Sequence, residues 1–247
     1  MLDRCRVVLV RPKIAGNLGA TARVMQNMGL TDLVLVAPTA DPGDREARRL
    51  STHGEPILER CRVVQELGEA VGDCALVAAT SARVGGRLRG QSVHPPDDVA
   101  GRLVTVLTEG RAAIVFGPES SGLENAEVAR CHYLVHIPTD KGYPALNLAQ
   151  AVAICLYELR RAWLGRVPAA AKGVPAPFTD QERMFEHLRL ALEEIHFLYG
   201  ANADSLMHAI RHLIGRALPS SMEVDVLHGL ARQIRWFASK HPRPPDV

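Results

Sequence analysis

Four loops carry the residues whose types and spacing could do chemistry. Gly16 to Arg23 reads G-N-L-G-A-T-A-R, Phe116 to Leu123 reads F-G-P-E-S-S-G-L, and Ile137 to Ala149 reads I-P-T-D-K-G-Y-P-A-L-N-L-A. The fourth, Thr80 to Gly90, reads T-S-A-R-V-G-G-R-L-R-G and holds Arg83, Arg87 and Arg89 without an acidic residue. The first loop is not a nucleotide-phosphate loop: its glycines do not follow G-x-G-x-x-G, and no Gly-Lys-Ser/Thr comes after them. Asn17 and Arg23 stand six apart across a turn into a helix. Asn17 can cap that helix, and Arg23, nearly two turns further on, projects from it. The plain alternatives are capping alone for Asn17, a solvated surface arginine for Arg23, and a loop or helix cap for Glu119 and Asn147. Turning the chain would account for glycine and proline in any one loop. Four such loops, each after a strand, point to a pocket with a basic arm beside it.

The elements that must position these loops are legible as an alternation. Short runs rich in Val, Ile and Leu, at Cys5 to Val10, Leu33 to Ala37, Cys74 to Ala79, Ala112 to Phe116 and Tyr133 to Ile137, read as buried strands. Helix-period segments lie between them at Leu18 to Met28, Gln65 to Val71, Asp98 to Thr108 and Glu124 to Arg130, and Leu148 to Trp163 follows the last strand. This predicts an α/β domain with a mostly parallel sheet, whose ligand site lies beyond the carboxyl ends of its strands.

After Trp163 the text changes to a Pro- and Ala-rich stretch, read as a linker over 165–178, and every periodic segment beyond it is helical. Thr179 with Glu182, and Ser220 with Glu223, form the capping-box pattern, and Asp204 opens a helix between them. The chain therefore divides into 1–164, the linker, and a helical extension over 179–247. Six of the ten histidines fall in this extension. His208 and His212 lack the glutamate of an H-E-x-x-H motif, so solvated or RNA-facing histidines are expected rather than a metal site. From Pro175 on, eight Lys/Arg stand against nine Asp/Glu, which predicts shape contacts to a partner and a modest salt dependence. The terminal H-P-R-P-P-D-V reads as frayed.

Composition narrows the function classes. With 4% aromatic residues the chain is a poor candidate for a base-stacking RNA platform, and a net charge of +2 leaves room only for a local basic patch. Cys5, Cys61, Cys74, Cys131 and Cys155 form no C-x-x-C pair, which predicts reduced core thiols, a cytoplasmic protein and no metal. No apolar signal core or run of roughly 18 apolar residues appears, so a soluble protein without membrane contact is expected.

Taken together, G-N-x-G-x-x-A-R, F-G-x-E-x-x-G-L and L-N-L-A at the start of a long helix resemble the SPOUT-class RNA 2′-O-methyltransferases of the TrmH/TrmJ group, over about residues 5 to 164. The linker and helical extension suit the TrmJ branch. The resemblance implies an α/β knot, a trefoil that general topology rules would exclude, with helices on both faces of the sheet. It also implies S-adenosylmethionine (SAM) as methyl donor, S-adenosylhomocysteine as product, a homodimer, and tRNA as substrate, with position 32 of the anticodon loop as target. An rRNA-directed enzyme of the same fold, or a weakly active or inactive RNA-binding relative, are the alternatives. By resemblance Arg23, Asn17, Glu119 and Asn147 are catalytic. Thr80, Ser81, Ala82, Gly117, Ile137 and the run Gly142, Tyr143, Pro144, Ala145, Leu146 and Asn147 hold SAM, largely through backbone. Arg23, Arg83, Arg87 and Arg89 face RNA. A guanidinium is a poor base, so the reading for Arg23 is a grip on phosphate and stabilisation of the developing 2′-alkoxide. Two positions depart from the family: Ala145 stands where serine is common, and Pro118 where arginine is common. The expectation is an enzyme that is slower but active.

Overall fold

The computed structural model describes residues 2–83, 93–165 and 174–241. Its centre is a sheet of β1 (Cys5–Val10), β2 (Asp32–Val36), β3 (Arg62–Val64), β4 (Leu76–Thr80), β5 (Val93–His94), β6 (Ala112–Phe116) and β7 (Tyr133–Val135). These lie in the order β3-β2-β1-β6-β4-β7-β5, and every pairing is parallel. Five of the strands coincide with the apolar runs, within two residues at either end. The two edge strands, β3 and β5, were not foreseen, because three and two residues are too few to show a period.

The helices around the sheet are α1 (Ala15–Met28), α2 (Arg45–Ser51), α3 (Glu55–Glu59), α4 (Leu67–Val71), α5 (Pro96–Val106), α6 (Asn125–Ala129) and α7 (Leu148–Leu164). The sequence assigns nothing between Ala37 and Gln65, yet α2 and α3 form there. Their charged, short text hides the helix, which Asp44 starts by accepting from the Glu46 backbone N–H at 2.7 Å. Strand side chains alternate between two apolar layers. Val7, Leu9, Leu35, Ile114 and Phe116 pack under α1, α5 and α7, with Leu18, Met25, Leu103 and Leu156 among their neighbours. Val8, Val34, Val77, Ala79 and Val115 face the other way, onto Leu67 and Val71 of α4 and Val128 of α6. Gly19 explains one of the first loop's two glycines: a Cβ there would stand 2.1 Å from the Ala47 carbonyl oxygen, so only glycine lets α1 and α2 touch.

The extension forms α8 (Phe178–Glu194), α9 (Ala203–Gly215) and α10 (Ser221–Lys240) around a small core that includes Met184, Leu188, Met207 and Val224. Its attachment differs from the sequence reading. Within the span read as linker, residues 166–173 lie outside the described residues, but Pro175 bridges to Ser220, Ala176 is buried, and Phe178 joins the core of the sheet's second face. The Ser220/Glu223 capping box is present, whereas the Thr179/Glu182 box is not. Thr179 Oγ instead donates to the Gly72 carbonyl at 2.6 Å, and Glu182 pairs with Arg130 and Arg211, because tertiary contacts satisfy these side chains better than a local turn. His208 and His212 are also buried rather than solvated, 4% and 7% exposed. The tail 242–247, read as frayed, lies outside the described residues.

All five cysteines are thiols. Burial pushes Cys74, Cys131 and Cys155 up to about 12, which leaves them protonated and unreactive. No helix among the described residues is long and apolar enough to cross a membrane.

Candidate active site at the carboxyl ends of the strands

The loops that follow β4, β6 and β7 meet over the end of the sheet and, with the start of α7, enclose a pocket. Its walls are Thr80 to Arg83, Phe116 to Gly122, Val135, Ile137, Pro144 to Leu146, and Leu148 and Ala151 of α7. The middle loop folds back sharply on itself. A Cβ on Gly117 would lie 2.3 Å from the Leu123 backbone nitrogen, Gly122 has φ +68°, and its N–H donates to the Pro118 carbonyl at 2.9 Å. Thr80 Oγ1 donates to the Val115 carbonyl at 3.1 Å, so its hydroxyl is engaged by the sheet.

At the mouth, three motifs far apart in sequence join through one relay. Asn147 Nδ2 donates to Asn17 Oδ1 at 2.9 Å, and Asn17 Nδ2 donates to Glu119 Oε1 at 2.8 Å. Glu119 also accepts from the backbone N–H groups of Lys13 at 3.1 Å and Ile14 at 3.3 Å. Asn147 caps α7, its Oδ1 accepting from Ala149 and Gln150 while Gln150 answers in a capping box. Asn17 does not cap α1, as the sequence suggested: the helix begins earlier, with Ile14 at the cap position, and Asn17 sits inside it, 6% exposed. Glu119 accepts from the N–H groups of Lys13 and Ile14 just before the helix, and Asn17 spans from Glu119 to Asn147. The cap alternative is therefore part of the truth for Asn147, which both caps α7 and belongs to the relay, while Glu119 braces the segment just before α1.

The structure brings Thr80, Ser81, Ala82, Arg83, Gly117, Glu119, Ile137, Pro144, Ala145 and Leu146 to the pocket wall. It does not bring Gly142 or Tyr143 there: they form a turn in which Asp140 accepts from both backbone N–H groups, and Tyr143 is 81% exposed. Asn147 is not among the wall residues and joins the site through its bond to Asn17. Arg23 is exposed on α1, away from the pocket wall, and its side chain has no hydrogen-bond or ion-pair partner among the described residues. Arg87 and Arg89 lie outside the described residues. The sequence reading overlooked Lys13, whose ammonium donates to Ser120 Oγ at 3.1 Å on the pocket lip; its place four residues before Asn17 was the only signal. It also overlooked His136, next to Ile137.

These walls suit SAM. Val135, Ile137, Phe116 and Leu148 offer apolar surface for a purine, while glycines and small residues let loop backbone approach a polar amino-acid tail. Among the described residues no group of three or more His, Cys, Asp or Glu side chains gathers as metal ligands would.

Comparison with known proteins agrees with this geometry. Residues 4–157 match the SpoU rRNA Methylase family, and residues 179–243 match the C-terminal domain of the tRNA methyltransferase TrmJ. The tRNA (cytidine/uridine-2′-O-)-methyltransferase TrmJ of Photorhabdus laumondii is 36% identical over 97% of this chain and 100% of its own length. The tRNA (cytidine/uridine/adenosine-2′-O-)-methyltransferase TrmJ of Pseudomonas aeruginosa is 39% identical over 96% of each chain. The crystal structure of TrmJ from Z. mobilis superposes with a TM-score of 0.77 at 31% identity, covering 93% of this chain and 98% of that one. A parallel sheet with a loop-built pocket over its carboxyl edge, a relay uniting three motifs and a docked helical extension thus have one common source: the chain belongs to the SpoU methylase family and carries the C-terminal domain of its TrmJ members.

Proposed function

We propose that this chain methylates the 2′-hydroxyl of a tRNA ribose, at position 32 of the anticodon loop, as a cytoplasmic homodimer. The observation that carries the reading is the relay from Glu119, on the pocket wall, through Asn17 to Asn147. When bound, SAM supplies a methyl group already activated by its sulfonium charge. What remains for the protein is alignment of the nucleophile and stabilisation of its charge. The walls Thr80 to Ala82, Gly117, Ile137 and Pro144 to Leu146 hold the donor. Glu119 is fixed by three N–H donors, so it acts as an anchor rather than a free base. Asn17, held from both sides, fixes the start of α1, and Arg83 adds a cation on the pocket wall.

Arg23 grips a phosphate next to the target and stabilises the alkoxide as the 2′-oxygen gives its proton to solvent. Six residues of helix carry it about 9 Å beyond Asn17 along α1, and it does not line its own pocket. That placement supports delivery of Arg23 to the pocket of a second copy, in keeping with the exposure of Ile14, Tyr157 and Leu164, at 49%, 52% and 70%, around α1 and α7. The trefoil knot remains the family expectation, supported by the way β6 and β7 insert between strands that precede them in sequence.

The test is transfer of labelled methyl from SAM to bulk tRNA and to rRNA, followed by mapping of 2′-O-methyl marks and light scattering of the protein. Label in tRNA at position 32 from a dimer is the expected result. Label confined to rRNA would replace this reading with the rRNA-directed alternative.

A further inference from the structure

One side chain outside the motifs reaches from β7 to the wall of the pocket. The β4–β7 ladder pairs Ala78, Ala79 and Thr80 with Tyr133, Leu134 and Val135, and it extends one bond further, from the Ser81 N–H to the Val135 carbonyl at 2.9 Å. A regular parallel ladder would next offer the Ser81 carbonyl a backbone N–H from the neighbouring strand. Here the His136 ring takes that place, with Nδ1 3.0 Å from the Ser81 carbonyl oxygen. A carbonyl can only accept, so this assigns the proton to Nδ1. The backbone N–H of His136 is engaged on the other side, donating to the His94 carbonyl of β5 at 3.0 Å. His136 therefore bonds both to Ser81, just after β4, and to His94 of β5.

The position matters because Ser81 and Ile137, the residue after His136, face the same pocket. The Ser81 turn is already closed on itself: Ser81 Oγ accepts from the Arg83 N–H at 3.1 Å and donates to the Arg83 carbonyl at 2.9 Å. The ring bond fixes this closed turn relative to Ile137, so that two walls of the pocket hold a set separation.

We propose that His136 is a positioning residue for SAM, its Nδ1–H setting the Ser81 peptide against the Ile137 wall. The inference rests on the methyltransferase reading and names a residue outside the motif set. Calorimetric SAM binding and steady-state methyl transfer to tRNA are measured for the wild-type chain and for His136→Ala, His136→Asn and His136→Gln. An asparagine amide places an N–H as far from the backbone as Nδ1, whereas glutamine carries it one bond too far. The expected result is a roughly tenfold weaker SAM affinity for the alanine and glutamine variants, the net worth of one hydrogen bond. The asparagine variant should stay within about twofold of wild type, and all should keep kcat at saturating SAM within about threefold and the KM for tRNA unchanged. Rescue by asparagine but not by glutamine, at similar melting temperature, separates positioning from general stability. Unaltered SAM affinity in all three variants, or an asparagine variant as weak as alanine, overturns the proposal. Failure of the wild-type chain itself to bind SAM overturns the reading beneath it and is distinct from both.

Discussion

Two side-chain relays bind distant parts of this chain, and they differ in what surrounds them. Beside the pocket, Glu119, Asn17 and Asn147 link segments from positions 17, 119 and 147 through part-buried bonds, with Asn17 itself buried. At the opposite end of the sheet, the Val77 N–H donates to His132 Nδ1 at 2.9 Å, and His132 Nε2 meets Gln181 Oε1 at 2.9 Å. Gln181 Nε2 donates in turn to the carbonyls of Ala176 at 2.7 Å and Ala75 at 3.3 Å. Because Nδ1 accepts a backbone proton, the other ring nitrogen carries the hydrogen, and the imidazole is neutral. Burial holds it there, lowering its pKa to about 4. The part-buried relay reaches the pocket wall through Glu119. The sealed relay satisfies every group it contains and is costly to interrupt. One region borders the pocket, and the other joins the helical extension to the sheet.

The sharpest way to separate them is Arg23→Ala. Removal of an alkoxide-stabilising donor is expected to lower methyl transfer at least about a hundredfold, with SAM affinity near wild type by calorimetry. A variant turning over at the wild-type rate would remove Arg23 from the mechanism. If Arg23 works across the dimer, mixing Arg23→Ala with a chain disabled at Asn17 should restore part of the activity, since one hybrid pocket is complete.

Gln181→Leu addresses the sealed relay. It strands the His132 N–H and two carbonyls in a site where Gln181 is fully buried, each stranded group costing about 1–3 kcal/mol. A melting temperature lower by about 5 °C or more is expected, with kcat per folded molecule within about threefold. A large loss of kcat at unchanged stability would mean that the two regions are coupled. This variant is a cleaner probe than cutting the chain after Arg166, which would strip Phe178 from the core of the sheet.

Acid should loosen the same region. Burial lowers His132, and burial followed by the charge of His208 lowers His212, both to about 4 from an ordinary 6.5. Between those values the unfolded chain binds protons that the folded chain refuses, so stability is full above about pH 6.5 and falls as the pH drops toward 4. Melting temperatures between pH 7 and pH 5 should show this slope, and His132→Asn should reduce it to the part that His212 contributes. A pH-independent melting temperature would exclude the neutral, buried imidazoles.

The smallest effect is expected at Ala145→Ser. A hydroxyl on the pocket wall that orients water or ribose is worth about 0.5 to 1.5 kcal/mol, so single-turnover methylation should rise by tenfold or less. A gain above about a hundredfold would show that the parent had lost an obligatory proton relay and would favour the RNA-binding alternative.

The sequence by itself determined the alternation that makes a parallel sheet, because buried strands of Val, Ile and Leu and amphipathic helices carry their periods in the text. It also marked candidate segments by their glycines and polar residues, and three of the four, those after β4, β6 and β7, line the pocket, whereas Gly16 to Arg23 lies within α1. Only the tertiary structure decided where hydrogen bonds between distant loops go. Asn17 looked like a cap because caps are local, but it sits inside α1 and bonds instead to Glu119, 102 residues away, and to Asn147. Thr179 likewise abandoned a local box for the Gly72 carbonyl, and His132, unremarkable in the text, became the centre of a sealed relay. Periodicity reports which face of an element is buried. The partner of a polar side chain is fixed by the three-dimensional neighbourhood that burial creates, and no local pattern in the sequence encodes it.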